Sequence, residues 1–295
     1  MRALLAGWFS FEQMGASAGD LMARDLVYQW LQQVGGTVDI ATAAPFAGGV
    51  DWTAVAPERY SHVVFVCGPF GNGPPVDAML DRFAHCDKIG VNLSMLQDLK
   101  QWNPFDLLLE RDSSTTARPD LVFLSRTDRV PVVGVILAHR QKEYGQRAMH
   151  DAINEVIHRV LKDRGAAVVP IDTRLDANAN GLTTPAQVES VIAKMDAVVT
   201  TRLHGTVLAI KNGVPPVAID PVRGGAKVER QATIIGWPVC ISAKDATEAN
   251  LTEAVNYCLT EAAREQAEAC HQKAYKSIEA VGERLKQHFK VNARR

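Results

Sequence analysis

The sequence predicts an α/β chain of two Rossmann-like domains, and three observations carry that expectation. Short apolar runs recur along the chain without strict alternation, as strands of a parallel sheet covered on both faces should. Segments with helical spacing separate several of them. Polar and glycine residues collect just after the runs, at the strand ends where open α/β sheets bind ligands. With 295 residues, 47% of them apolar, there is enough chain for two cores of ordinary size.

In the first half, residues 2–8 read as a buried strand. A glycine-containing loop over 9–19 leads to Asp20 and a helix through Val34, with Leu21, Leu26, Val27, Trp30, Leu31 and Val34 at helical spacing. Gly15, Gly19 and Asp20 do not have the Gly-x-Gly-x-x-Gly spacing of a dinucleotide fingerprint. A sugar-facing loop in which Glu12 or Asp20 holds hydroxyls is expected instead, or Asp20 simply caps its helix. Strands follow at 38–41, 62–67, 88–93 and 105–109, with a helix at 76–84. The loop 68–75 combines glycines and prolines, which suits a ligand rim and an ordinary turn equally. The strand at 105–109 runs into Glu110-Arg111-Asp112-Ser113-Ser114, a charged cluster that reads as substrate-binding or as a local surface ion pair.

The polar run 125–129 is the expected linker, dividing the chain into domains at 1–128 and 129–295. Beyond it come a strand at 130–137 ending in Ala138-His139-Arg140-Gln141, a helix at 146–164 and a strand at 167–171. His139 is a candidate ligand or acid, while His150 and His158 read as ordinary surface or half-buried residues. Asp176-Ala177-Asn178-Ala179-Asn180-Gly181 imitates half of a calcium loop, but Gln187 stands where the bidentate glutamate belongs and a strand precedes it. Arg174 and Asp176 are therefore read as rim residues able to touch an acceptor.

Residues 196–220 read as a βαβ unit: a strand at 197–200, a helix at 206–211 closed by Asn212-Gly213, and a strand at 217–219 ending in Asp220. Between strand and helix stand Thr201, Arg202, His204 and Gly205. A helix amino terminus offers free N–H groups and partial positive charge to an anion, and an arginine adds a fork for carboxylate or phosphate. Lys227, at the start of a helix over 228–235, sits where the dipole disfavours a cation, which points to an anion nearby or to plain exposure. A last strand at 239–241 precedes a helical, charged tail over 246–295.

Arg202-Leu203-His204-Gly205, Gly213-Val214-Pro215 and Lys227, with Gly19-Asp20 and Arg111-Asp112-Ser113, resemble the signature of the polysaccharide pyruvyl transferase family. The resemblance spans most of the chain, chiefly residues 130–238, and departs from the family's Asn-x-Gly-Asp loop at residues 15–20. It implies two Rossmann-like domains facing a cleft, a GT-B-like architecture in which a tail helix often crosses back to the first domain. It also implies phosphoenolpyruvate as donor and sugar hydroxyls as acceptor. On that reading the acceptor belongs to 1–128 and the donor to 129–295, Arg202 binds the donor anion and His204, with an unperturbed pKa near ~6.5, is the general acid. Thr201, Gly205, Asp220, Lys227, His139, Arg111, Asp112, Ser113 and Asp20 complete the expected substrate contacts. A nucleotide-sugar glycosyltransferase and an inert sugar- or anion-binding protein of the same fold remain open alternatives.

Composition narrows the partners. Thirty-two basic residues against 33 acidic ones give a net charge of −1, unlike a nucleic-acid or anionic-membrane binder. Five scattered cysteines suggest neither disulfide framework nor zinc ribbon, which fits a reduced cytoplasmic compartment, and no cofactor or metal is expected. No apolar run reaches the ~20 residues of a membrane span. The segment 2–18 imitates a signal peptide, but Glu12, Gln13 and a lone Arg2 favour an opening strand.

Overall fold

The computed structural model describes residues 1–112, 118–139, 142–162 and 164–292. Two compact units, Met1–Asp128 and Arg129–Arg295, divide the chain. Each is a five-stranded, wholly parallel sheet with flanking helices, so the α/β class read from the uninterrupted apolar runs is the observed one.

In the first unit, β1 (Arg2–Ala6), β2 (Thr37–Ile40), β3 (His62–Phe70), β4 (Asp87–Met95) and β5 (Leu107–Glu110) lie in the order β2-β1-β3-β4-β5, with α1 (Ala18–Gln33) and α2 (Val76–Arg82) between them. Alternate residues of one strand supply two different cores. Leu4 and Ala6 join Phe65, Phe70 and Phe83 on one face, while Leu5 joins Phe9, Val27, Val64 and Val66 on the other. That double coverage is the physical reason the strands read as continuous apolar runs. Asp20 does not open α1 but stands in its first turn, where its carboxylate accepts the N–H (2.7 Å) and hydroxyl (2.6 Å) of Ser17 in a capping box.

The second unit repeats the pattern. β6 (Val132–Ile136), β7 (Ala167–Pro170), β8 (Ala197–Thr200), β9 (Pro216–Asp220) and β10 (Cys240–Ser242) lie in the order β10-β9-β8-β6-β7. α3 (His150–Lys162), α4 (Pro185–Ile192), α5 (Leu203–Lys211), α6 (Lys227–Ile235), α7 (Glu248–Cys258) and α8 (Glu261–Asn292) complete it. His150 is buried, not surface or half-buried, while His158 is exposed. The helix α4 was not anticipated, although Thr184-Pro185 with Gln187 spells a capping box with proline at the first position. Gln187, the residue that spoils the calcium pattern, caps α4: its Oε1 accepts the Thr184 N–H at 3.1 Å. α8 docks its first half through Ala263, Ala267 and Cys270 into the core shared with α5, α6 and α7. No described helix is long and apolar enough to cross a membrane.

Both sheets have the strand order 2-1-3-4-5 when numbered within their own unit. In that order the chain leaves the first strand toward one edge and returns on its other side, opening a crevice between the carboxyl ends of the first and third strands. The crevices at β1/β3 and β6/β8 are therefore where fold geometry alone directs a ligand.

Candidate active site

At the β6/β8 crevice lies a cavity of about 470 Å³ lined by Ala138, His139, Thr173, Arg174, Thr201, Arg202, Leu203, His204 and Lys227. It gathers three cationic side chains and two imidazoles, and among the described residues no carboxylate lines it.

The backbone builds this site through Thr200 and Thr201. The buried Thr200 hydroxyl donates to the Ile136 carbonyl at 2.9 Å and accepts the Arg202 N–H at 3.0 Å, which turns the chain sharply from β8 into α5. Thr201 is buried too, and its hydroxyl accepts the Ala138 N–H at 2.7 Å, pinning the end of β6 beside the start of α5. Its hydroxyl thus holds the pocket together; the expected substrate contact is restricted to what little of it reaches the wall. Gly205 is there for a packing reason. A Cβ at that position would lie 2.1 Å from Thr200 Oγ1 and 3.1 Å from Ile136 Cγ2, so only glycine lets α5 sit this close to β8.

Arg202 is the residue before α5, with extended backbone. Its Nε donates to the Leu137 carbonyl at 2.8 Å, fixing the guanidinium while its other nitrogens remain for a ligand. The nearest carboxylate, Asp172, is 3.8 Å from Nη2, a loose contact that leaves the positive charge largely available. Asp172 was overlooked in the sequence, although it stands two residues beyond β7. Burial works to raise its pKa, yet the N–H groups of Arg174 and Ala179 and the charge of Arg202 carry it below the ordinary carboxylate value. No side chain caps α5, and its first backward bond runs from the Thr206 N–H to the Arg202 carbonyl at 3.1 Å. The N–H groups of Leu203, His204 and Gly205 are thus left at an open helix amino terminus. The His204 ring is exposed and makes no hydrogen bond to the described residues.

The neighbouring helix shows the opposite arrangement. Asp220 is fully buried, and its carboxylate accepts N–H groups from Val222 (3.1 Å), Ala226 (2.8 Å) and Glu229 (3.0 Å). It is itself the anion at the start of α6, which corrects its expected place among substrate contacts and removes the need for an external anion beside Lys227. Lys227 is exposed, with its ammonium 5.9 Å from the Tyr144 ring centre, and its reach is toward the pocket. Arg174 also lines the pocket, although the sequence assigned it to the acceptor. Asp176 holds it by two bonds, of 3.0 and 2.5 Å, so it is the most neutralised of the three cations. With Asp176 so engaged and the Asn178 amide donating to the Asp172 and Arg174 carbonyls, the calcium-like loop is closed on itself. Among the described residues no cluster of three or more His, Cys, Asp or Glu side chains could hold a metal.

The first unit's crevice has a different chemistry. A cavity of about 670 Å³ there is lined by Glu12, Thr42, Asp51, Trp52, Thr53 and Pro74-Pro75 among others, with no lysine, arginine or histidine among the described residues. The Trp52 indole donates to the Ser10 carbonyl at 3.1 Å and packs edge-on against Phe11, which fixes the ring at the wall. Asp51 accepts the Thr53 hydroxyl (2.7 Å) and N–H (2.8 Å), bonds that lower its pKa and keep it ionised. Neither Trp52 nor Asp51 was singled out from sequence, because they lie in a loop with no periodic pattern. Asp20 does not line this cavity.

Arg111 is engaged on every side. It donates to Asp112 (3.1 Å), Asp120 (2.8 Å) and the Ser94 hydroxyl (2.6 Å), and Ser94 in turn donates to Asp112. The alternative reading of a local ion cluster describes Arg111 and Asp112 better than an open substrate contact does. Ser113 lies outside the described residues.

Among solved structures the chain is similar to the calicheamicin glycosyltransferase CalG4 (13% identity over 94% of each chain, TM-score 0.36). It is also similar to the spinosyn rhamnosyltransferase SpnG complexed with thymidine diphosphate (11% identity, 95% of this chain and 100% of that one, TM-score 0.34). A third is UDP-GlcNAc 2-epimerase of Methanocaldococcus jannaschii (9% identity, 94% and 99%, TM-score 0.34). No protein of curated function matches the chain. Residues 108–221 match the family model described as polysaccharide pyruvyl transferase, a narrower span than the expected one, which leaves Gly19-Asp20 and Lys227 outside. Every residue lining the β6/β8 pocket except Lys227 falls within the match, so the resemblance carried by Arg202-Leu203-His204-Gly205 holds where the site is built, and it is the resemblance of a transferase.

Proposed function

We propose that the chain transfers the pyruvyl unit of phosphoenolpyruvate to two hydroxyls of a sugar, forming a cyclic ketal and releasing phosphate. The single observation that carries this reading is the crowding of Arg202, Lys227, Arg174, His139 and His204 around one pocket at an uncapped helix amino terminus. Phosphoenolpyruvate bears a carboxylate and a phosphate on neighbouring atoms and needs several fixed donors at once. Arg202 and the N–H groups of α5 meet one anionic group, and Lys227 with the partly neutralised Arg174 meets the other.

His204 delivers a proton to the methylene carbon, and a sugar hydroxyl adds to the adjacent carbon as cationic character develops there. The carbon–oxygen bond to phosphate then breaks and a second hydroxyl closes the ring. Of the two hydroxyl protons, one balances that delivered to carbon and the other leaves with phosphate. No oxidation state changes, so the donor supplies all the chemistry without a cofactor. His204 stands beside the helix terminus where the donor phosphate binds, within reach of the donor's reacting carbon.

The acceptor is assigned to the first unit. A cavity with carboxylates, hydroxyls and a fixed indole but no cation suits a neutral polyhydroxylated ligand: Glu12, Asp51, Thr42 and Thr53 hydrogen-bond hydroxyls, and Trp52 offers a flat apolar face. Five free cysteines suit the reducing cytoplasm as the place of reaction.

The test is phosphate release from phosphoenolpyruvate on addition of carbohydrate acceptors, with the acceptor's mass rising by one pyruvyl ketal. Melting-temperature shifts provide the control: stabilisation by nucleotide sugars and none by phosphoenolpyruvate would move the assignment to glycosyl transfer.

A further inference from the structure

The second half of α8 carries an apolar stripe that the described residues leave mostly exposed. Tyr275 is 59% exposed, Ile278 62%, Val281 62%, Leu285 59% and Phe289 67%, whereas Ala263, Ala267 and Cys270 in the first half are buried. Spacings of three and four place Tyr275, Ile278, Gly282, Leu285 and Phe289 on a single heptad seam, in the order a, d, a, d, a. Gly282 is the odd member. A Cβ there would meet nothing within 4 Å, so no contact inside the chain accounts for glycine in the middle of a long helix. It fits a seam that a second helix must approach closely.

We infer that this half-helix pairs with its own copy, antiparallel, making a two-fold homodimer of the second unit. The flanking charges select the direction. Glu279 and Lys286 both occupy e positions, and antiparallel helices set e against e, so Glu279 of each copy meets Lys286 of the other and the pair occurs twice across the interface. A parallel pair would set e against g, where Ala274, Val281 and His288 offer no matching charge. In the antiparallel register Ile278 faces the other copy's phenylalanine and Gly282 its leucine, so the glycine layers set a large side chain against the smallest.

A receiving surface already exists beside the seam. An apolar cavity of about 370 Å³ lies among α5, α6 and α8, lined by Val207, Ile210, Ile234, Ile235, Ala274 and Ile278 among others. Ile234 at its rim is 70% exposed. The phenylalanine of the second copy, lying over Ile278, reaches this cavity. The stripe and Ile234 together offer six large apolar side chains, each more than half exposed, for the buried core of an interface. The polar face mixes Glu279 and Glu283 with Lys276, Arg284, Lys286 and Lys290, and an acid beside the seam opposes docking on an anionic membrane.

The experiment is sedimentation of the full chain across concentrations, with Leu285→Asp/Phe289→Asp, Glu279→Lys, Lys286→Glu and the double swap Glu279→Lys/Lys286→Glu. Wild type is expected to be a dimer in the micromolar range and the seam variant a monomer with an unchanged melting profile of its body. Each single swap should weaken dimerisation about tenfold and the double swap should restore it. A monomeric wild type, a dimer indifferent to the seam variant, or single swaps that the double swap does not rescue would overturn the pairing. Binding of a monomeric wild type to phosphatidylglycerol vesicles, lost in the seam variant, would overturn it in favour of a lipid surface.

Discussion

The two units share one strand order and put a cavity at the same topological position, yet the cavities have opposite characters. At β6/β8 the walls carry Arg174, Arg202, Lys227, His139 and His204; at β1/β3 they carry Glu12, Asp51, Thr42, Thr53 and Trp52. Topology decides where a ligand goes, and the side chains on the loops decide what it is. A second contrast lies within the second unit: Asp220 closes the amino terminus of α6, while α5 has no side-chain cap. A third separates free from spent arginines. Arg111 faces Asp112 and Asp120 at 3.1 and 2.8 Å, whereas the nearest carboxylate to Arg202 is 3.8 Å away.

The sharpest way to strain this contrast is His204→Gln. Turnover should fall roughly 10²–10⁴-fold while donor affinity is retained, because Arg202 and the backbone N–H groups still meet the anion. Paired titration and phosphate-release measurements read the two quantities separately. A variant that turns over like wild type would pass the acid role to His139.

Gly205→Ala should destabilise the second unit by about 1–3 kcal/mol, since the new methyl meets a Thr200 hydroxyl already fixed by two hydrogen bonds. Urea unfolding would register it, and an unchanged midpoint would mean that α5 can move away from β8 at little cost. Next in size, Trp52→Ala should raise the acceptor KM about tenfold while leaving phosphoenolpyruvate binding as it was, given ~1–2 kcal/mol for a lost aromatic face. An effect on donor binding instead would break the division of labour between the units.

The smallest effect concerns acid. Burial pushes the Asp39 pKa up, but the Tyr60 hydroxyl and Arg2 guanidinium outweigh it and the net shift is downward. A depressed carboxylate contributes stability that is present above its unfolded pKa, near ~3.9, and lost as pH falls through the folded value. Asp39→Asn should therefore cost about 1 kcal/mol or less at neutral pH, and the difference should shrink as pH falls through the lowered folded value. A deficit that persists in acid would assign the loss to packing.

Much of this was legible in the sequence, for identifiable reasons. Strands buried on both faces leave apolar runs that need no partner to be seen, and β8 was read to the residue. Arg202 and His204 stand out because a strand, an arginine and a helix start are adjacent in the chain. The roles of Asp220, Gly205 and Thr201 were not legible. A carboxylate that caps a helix and one that binds a substrate look alike until the N–H groups around them are located. Likewise Arg111 reads as a binding residue until Asp120, nine positions on, is found against it. Trp52 and Asp51 reach the first unit's cavity only through the path of the loop after β2, which no periodicity records.

The most direct test of the central claim is isothermal titration of phosphoenolpyruvate into wild type, Arg202→Ala and Arg111→Ala, with melting profiles confirming that all three are folded. Loss of charge-assisted bonds worth about 1.5–3 kcal/mol each predicts that Arg202→Ala weakens binding by roughly 10²-fold or more, while Arg111→Ala stays within about twofold of wild type. Equal losses in both variants, or normal binding in Arg202→Ala, would contradict the assignment of the donor to the pocket at the β6/β8 crevice.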